Sequence, residues 1–223
     1  MSMKKDNLWV AFNTGKHIGH SFMNKSREEI LESLRKSTFK ELFQESINWE
    51  GTDSRQDPYY SAIQKLHEND YSSFEEYRDD IEKDECVQNL SSLDRFRLIS
   101  YALVLYYWTS DNTEDARRVA IWDKLFENIP KENNQECREV YKEVLNSYYQ
   151  KYKLSDETTN YSEVVKSAFS YALYHFWHNT PYVSAVRSTL LNGGNTEFSI
   201  ALVSTLLGAE NKESIPTSWR RAG

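Results

Sequence analysis

Apolar residues recur along this chain every three or four positions, the period of a helix face rather than of a strand. Ile30, Leu31, Leu34, Leu42 and Phe43 form the first such series. They follow Ser26-Arg27-Glu28-Glu29, a capping-box pattern in which the serine oxygen takes one free amide and the glutamate returns to the cap amide. A second series opens at Ser91 or Ser92 and runs through Leu93, Phe96, Ile99 and Leu103 to Trp108. Its end is apolar on most sides, as in a helix buried among others. Ala116, Val119, Ala120, Trp122, Leu125 and Phe126 predict the next helix, capped by Asp111 or Thr113 and stopped before Pro130. Cys137, Val140, Tyr141, Val144, Leu145 and Tyr148 predict another. Tyr161 or Ser162 opens a helix through Val164, Val165, Ala168, Phe169, Ala172, Leu173 and Phe176. Thr180-Pro181 reads as a cap followed by proline at the first helical position, leading through Val183, Val186 and Leu190 to Asn192. The last helix is expected over Thr196 to Leu207, with Asn195 as its cap and Gly208 as its stop. Tyr71 to Lys83 reads as a charged surface helix and Asn48 to Tyr60 as a loop. Residues 1–25 carry no clear series and are expected to be loosely ordered. The whole chain, 1–223, reads as one all-α domain.

Composition sharpens this. There are 7 Gly and 4 Pro beside 6 Trp, 15 Tyr and 10 Phe in 223 residues. Average usage gives roughly 15 Gly and 11 Pro at this length, so the turns of a many-stranded sandwich are missing. The stretch from Thr52 to Asn192 contains no glycine at all. A net charge of −7 argues against general binding to a nucleic-acid backbone, which needs a basic footprint. The longest apolar run, Ile99 to Trp108, is too short to span a membrane. The first residues, MSMKKDNLWVAF, lack the apolar core of a secretory signal. Cys86 and Cys137 are lone thiols suited to a reducing compartment, so an intracellular, cytoplasmic location is expected.

The most informative segment is Asn192-Gly193-Gly194-Asn195-Thr196-Glu197-Phe198. Paired glycines permit positive φ and close approach of a ligand to the backbone. The amides that open the following helix favour an anion such as a pyrophosphate, which makes Gly193, Gly194, Asn195 and Thr196 candidate ligand-binding residues. Glu197, with Asn195 as a weaker oxygen donor, is a candidate ligand for a hard divalent cation. Equally, the glycines are a helix stop and Asn195 a cap. His17-x-x-His20 and His175-x-x-His178 each put two imidazoles on one helix face, without a third zinc ligand at motif spacing. Tyr171, Tyr174, Phe176 and Trp177 suit either adenine stacking or core packing, and Trp219-Arg220-Arg221 either a phosphate or an exposed terminus. The acidic run Glu75 to Glu85 reads as a solvated face.

Read as one unit, residues 164–223 resemble the C-terminal part of the ADP-ribosylglycohydrolase family, which includes the dinitrogenase reductase activating glycohydrolases. The resemblance rests on SAFSYALYHFW, on NGGNTEF in place of the family's Gly-Gly-Asp-Thr-Asp-Thr loop, on Gly208-Ala209, and on Ile215-Pro216-Thr217-Ser218-Trp219. It implies a compact orthogonal helical bundle holding Mg2+ beside an ADP-ribose pocket, with the metal orienting ribose hydroxyls and activating water. Against the family's pattern, Asn195 and Glu197 stand for the two loop aspartates and Phe198 for the last threonine. The family's N-terminal Thr-Asp-Asp run has only Thr52-Asp53 as an echo. The expectation is a degenerate, non-hydrolysing member that binds ADP-ribose, a related nucleotide or an ADP-ribosylated protein. One alternative is an active Mg2+-dependent hydrolase whose site is rebuilt from Glu197 with Asp53 or Asp57. The other is a protein-interaction module without the pocket.

Overall fold

The computed structural model describes residues 3–23, 25–36, 57–110, 117–146, 160–209 and 212–220. Among these residues every regular element is a helix, so the chain is all-α. In chain order they are α1 (Met3–Ser21), α2 (Arg27–Lys36), α3 (Pro58–Glu68), α4 (Phe74–Ile81), α5 (Glu85–Gln88), α6 (Ser92–Thr109), α7 (Arg118–Glu127), α8 (Asn134–Asn146), α9 (Tyr161–Trp177), α10 (Tyr182–Asn192) and α11 (Thr196–Ala209). Two short 3-10 turns follow, Lys212–Ser214 and Thr217–Trp219.

Local chemistry sets the helix starts. The Ser26 amide donates to Glu29 Oε2 at 2.7 Å and the Glu29 amide to Ser26 Oγ at 3.3 Å, the reciprocal capping box ahead of α2. Ser91 caps α6 through the Asp94 amide, and Asn160 caps α9 through the Ser162 amide. Asp57 caps α3 by accepting from the Tyr59 and Tyr60 amides, with Pro58 at the first helical position. Tyr60, expected at the end of a loop, therefore lies in α3, and residues 48–56 lie outside the described residues.

Helix α11 is the axis of the fold. Its side chains are buried on every side, and α1, α9 and α10 all pack on it. The closest partner is α1. Residues 1–25, expected to be loosely ordered, thus hold a helix whose inner face, including Leu8, Ala11, Phe12, Gly15, Ile18 and Gly19, is buried. It escapes periodicity because its contact stripe is made of small residues, Ala11, Gly15 and Gly19, spaced four apart on one face. A Cβ at Gly15 would lie 2.5 Å from Ser204 Cβ and 2.7 Å from the Ile200 carbonyl oxygen. Only glycine lets the two backbones come so near. Polar groups then cross the seam: Ser204 Oγ donates to the Ala11 carbonyl at 2.7 Å and Thr196 Oγ1 to the Gly19 carbonyl at 2.9 Å.

Three further expectations are corrected. Gly208 lies inside α11, not at its end, and a Cβ there would strike Ala11. Pro181 occupies the cap position of α10, because the Thr180 amide is still bonded to the His175 carbonyl of the preceding helix. Val119 is 67% exposed, since α7 begins only at Arg118 and turns Ile121 and Leu125 inward. Asp111, Thr113, Ala116, Leu42, Phe43, Tyr148, Thr52 and Asp53 lie outside the described residues. No described helix is long and apolar enough to cross a membrane.

Candidate functional site

The glycine pair adopts the conformation its sequence suggests. Gly193 and Gly194 have φ of 76° and 80°, a region that side chains disfavour, and they turn the chain from α10 into α11. Asn195 Oδ1 accepts the Phe198 amide at 3.0 Å, so its side-chain oxygen closes the first turn of α11. Thr196 is fixed by its bond to Gly19. The dipole of α11 gives this end of the helix a positive character.

The next two residues point the site toward α1 and α3. Glu197 is 9% exposed, and its Oε2 lies 3.0 Å from His20 Nδ1. The pairing depends on Gly19, where a Cβ would come within 2.8 Å of the Glu197 amide nitrogen. One turn before His20 on α1 stands Lys16, a lysine with only 1% of its surface exposed. Its Nζ lies over the Tyr60 ring at 4.6 Å from the centroid and over Phe12 at 5.5 Å. Burial holds its ammonium below the usual lysine range, opposed by the negative charges of Glu197 and then Asp57.

Asp57 completes the cluster from the start of α3. Its Oδ1 takes the Tyr59 and Tyr60 amides at 2.9 and 3.2 Å, and its Oδ2 accepts from the Tyr161 hydroxyl at 3.2 Å. Burial pushes its carboxyl up to about 6, opposed by these hydrogen bonds and by Lys16. Phe198 seals the arrangement. Its ring meets Tyr59 edge-on at 5.5 Å and also packs near Tyr60 and Tyr161, at 5.7 and 6.4 Å.

These residues allow a direct test of the implied Mg2+. That ion needs about six oxygen ligands in near-octahedral array. Asn195 Oδ1 is engaged in a cap, Phe198 offers no oxygen, Glu197 Oε2 faces His20, and both oxygens of Asp57 hold donors. The buried Lys16 ammonium, which feels the charges of Glu197 and Asp57, adds positive charge to the same region. No group of three or more His, Cys, Asp or Glu side chains converges among the described residues. The donor set does not fit the ion.

The other sequence candidates lie elsewhere. His175 is fully buried and lowered to about 4 by burial and by the His178 charge, while the His178 ring lies tilted against Tyr174 at 4.3 Å. Phe176 packs edge-on against Trp108 at 4.8 Å, and Trp177 lies 4.6 Å from Trp122. Trp219 is buried, and Arg220 pairs with Glu213 at 2.6 Å. In the acidic run, Asp80 and Asp84 both lie near Lys65, at 3.4 and 2.8 Å.

Lys16, Tyr60 and Tyr161 carry no site role in the sequence pattern, where Tyr161 reads only as a helix start and Tyr60 as the end of a loop. Asp57-Pro58, a cap followed by proline, was the one signal that could have placed α3 and its carboxylate. Comparison with known proteins gives no further lead: no family model, no curated protein and no solved structure matches the chain.

Proposed function

We propose that the chain is an ADP-ribosylglycohydrolase-like protein that has lost metal-dependent hydrolysis and retains binding of ADP-ribose or a related nucleotide at Gly193, Gly194, Asn195 and Thr196. The observation that carries the reading is the two-glycine turn at positive φ feeding straight into the start of α11. Glycines at positive φ let a ligand come close to the backbone, and the helix dipole favours the charge of a diphosphate. The resemblance of residues 164–223 supplies the ligand class, and an ADP-ribosylated protein would present the same group. The loss of hydrolysis rests on the occupied oxygens of Asn195, Glu197 and Asp57 and on the ring of Phe198.

Calorimetric titration with ADP-ribose, with and without MgCl2, tests the reading. The expected result is saturable binding that is indifferent to Mg2+ and is lost in Gly194→Trp. Tight Mg2+-dependent binding with release of an ADP-ribosyl acceptor would instead establish the active hydrolase. No binding in either buffer overturns the nucleotide reading and leaves the interaction module.

A further inference from the structure

A groove of about 640 Å³ opens between α6, α8 and α9, and it shares no residue with the glycine turn or with the groups around Asp57. Its volume falls within the roughly 300–1,000 Å³ of small-ligand sites. Arg97 of α6 lines it, although only 6% of that residue is exposed. Nη1 of the guanidinium donates to Asp94 Oδ1 at 2.7 Å. Asp94 is held in turn by the Ser91 and Ser162 hydroxyls, at 2.7 and 3.1 Å. Among the described residues Nε and Nη2 of Arg97 have no hydrogen-bond partner, yet neither is sealed from solvent. A guanidinium pinned at one corner by a buried aspartate keeps the rest of its fork in a fixed pose. Such a fork matches a carboxylate through two parallel N–H bonds.

The α8 wall of the groove carries the opposite charge. Glu136, Glu139 and Glu143 stand at i, i+3 and i+7 along one face of the helix, spanning roughly 10 Å at 1.5 Å per residue, and Glu132 precedes them. Lys166 of α9 also lines the groove, its Nζ 3.2 Å from Glu143 Oε2. Four carboxylates against two cations repel a simple anion. A carboxylate therefore reaches Arg97 only on a carrier that brings positive charge of its own.

We infer that this groove binds a basic ligand by its carboxylate, with the carboxylate on Nε and Nη2 of Arg97 and the ligand's cationic groups along the glutamates of α8. The chemistry is that of a free basic amino acid or of the C-terminal end of a basic peptide. The glutamate row matches about three residues of extended chain.

Calorimetric titration of the full chain with trilysine, trilysine amide and L-lysine tests the assignment. An acidic face alone prefers the amide, which lacks the one negative charge, whereas a site built on Arg97 prefers the acid. Trilysine is expected to bind saturably and at least about tenfold more tightly than its amide, the loss expected for charge-assisted hydrogen bonds. Trilysine binding more tightly than L-lysine marks a peptide as the source, and equal affinities mark the amino acid. Glu136→Gln and Glu139→Gln, at exposed positions, are each expected to weaken trilysine by up to about fivefold. Arg97→Lys is expected to abolish the preference for acid over amide. The acid-to-amide comparison uses the unaltered protein, so it decides the matter even where Arg97→Lys fails to fold. An amide that binds as tightly as the acid, or no saturable heat from either trilysine or L-lysine, overturns the proposal. Failure to bind ADP-ribose leaves it standing, since the two sites share no residue.

Discussion

Replacing Gly19 with alanine separates two opposing expectations. In an exposed helix interior the change stabilises by about 1 kcal/mol, because alanine loses less conformational freedom on folding. At Gly19 the new Cβ would sit 2.5 Å from the Thr196 carbonyl oxygen and 2.8 Å from the Glu197 amide nitrogen, with the Glu197 Cα closer still. All three neighbours are backbone of α11 and cannot rotate away. Relief requires α1 to move off α11, and overpacking of this kind costs about 1–3 kcal/mol. Net of the helix gain the loss is about 0–2 kcal/mol, which for a chain of this size is a fall of up to roughly 8 °C in thermal midpoint. Differential scanning calorimetry or a circular-dichroism melt reads it directly. Gly15→Ala meets the same helix one turn earlier, so once α1 has shifted its additional cost is smaller than its cost alone. A rise in midpoint for Gly19→Ala would refute the close-packed seam and leave the glycines as mere helix weak points.

Two further predictions rest on buried charge. The Asp57 carboxyl is raised from 3.8 to about 6, so the folded state prefers its protonated form. Its contribution to stability is fully present below about pH 4 and lost as pH rises through about 6, at most about 3 kcal/mol at 1.36 kcal/mol per unit. Asp57→Asn keeps a capping side chain and removes the titration. Stability measured by urea from pH 4 to 7 should therefore fall in the wild type relative to Asp57→Asn, and parallel profiles would contradict the shift. Asp94 and Arg97 form a buried pair at 2.7 Å, and Asp94 also accepts from Ser91 and Ser162, joining α6 to α9. Asp94→Ala strands the guanidinium and is expected to cost about 3–5 kcal/mol in chemical denaturation. A loss near zero would show that water or another carboxylate replaces the aspartate.

The sequence was legible where a local rule decides the outcome. The capping box at Ser26, the cap at Ser91, the glycine turn at 193–194 and the cap at Asn195 each depend on residues a few positions apart. The helices with apolar stripes were legible for the same reason, since 3.6-residue spacing is written in the chain itself. Helix α1 was not, because its contact stripe is built from glycine and alanine, flanked by the buried Lys16 and by His20, which pairs with Glu197. An apolar-periodicity argument counts none of these as core. The charge cluster was invisible for a different reason. His20 meets Glu197 across 177 positions, and Tyr161 meets Asp57 across 104. Such pairs exist only once three helices have docked.

The seam between α1 and α11 also sets an order of events during synthesis. A chain growing at about 5–20 residues per second emits Glu197 roughly 10–35 s after His20. Throughout that interval α1 has no α11 to receive its small-residue stripe, and Lys16 has neither Glu197 nor a closed core around it. Loop closure over nearly the whole chain must then come first, and the contacts that reward it arrive last. Helix α1 is therefore secured only after α11 has been made, and until then the nascent chain carries its small-residue stripe without a partner.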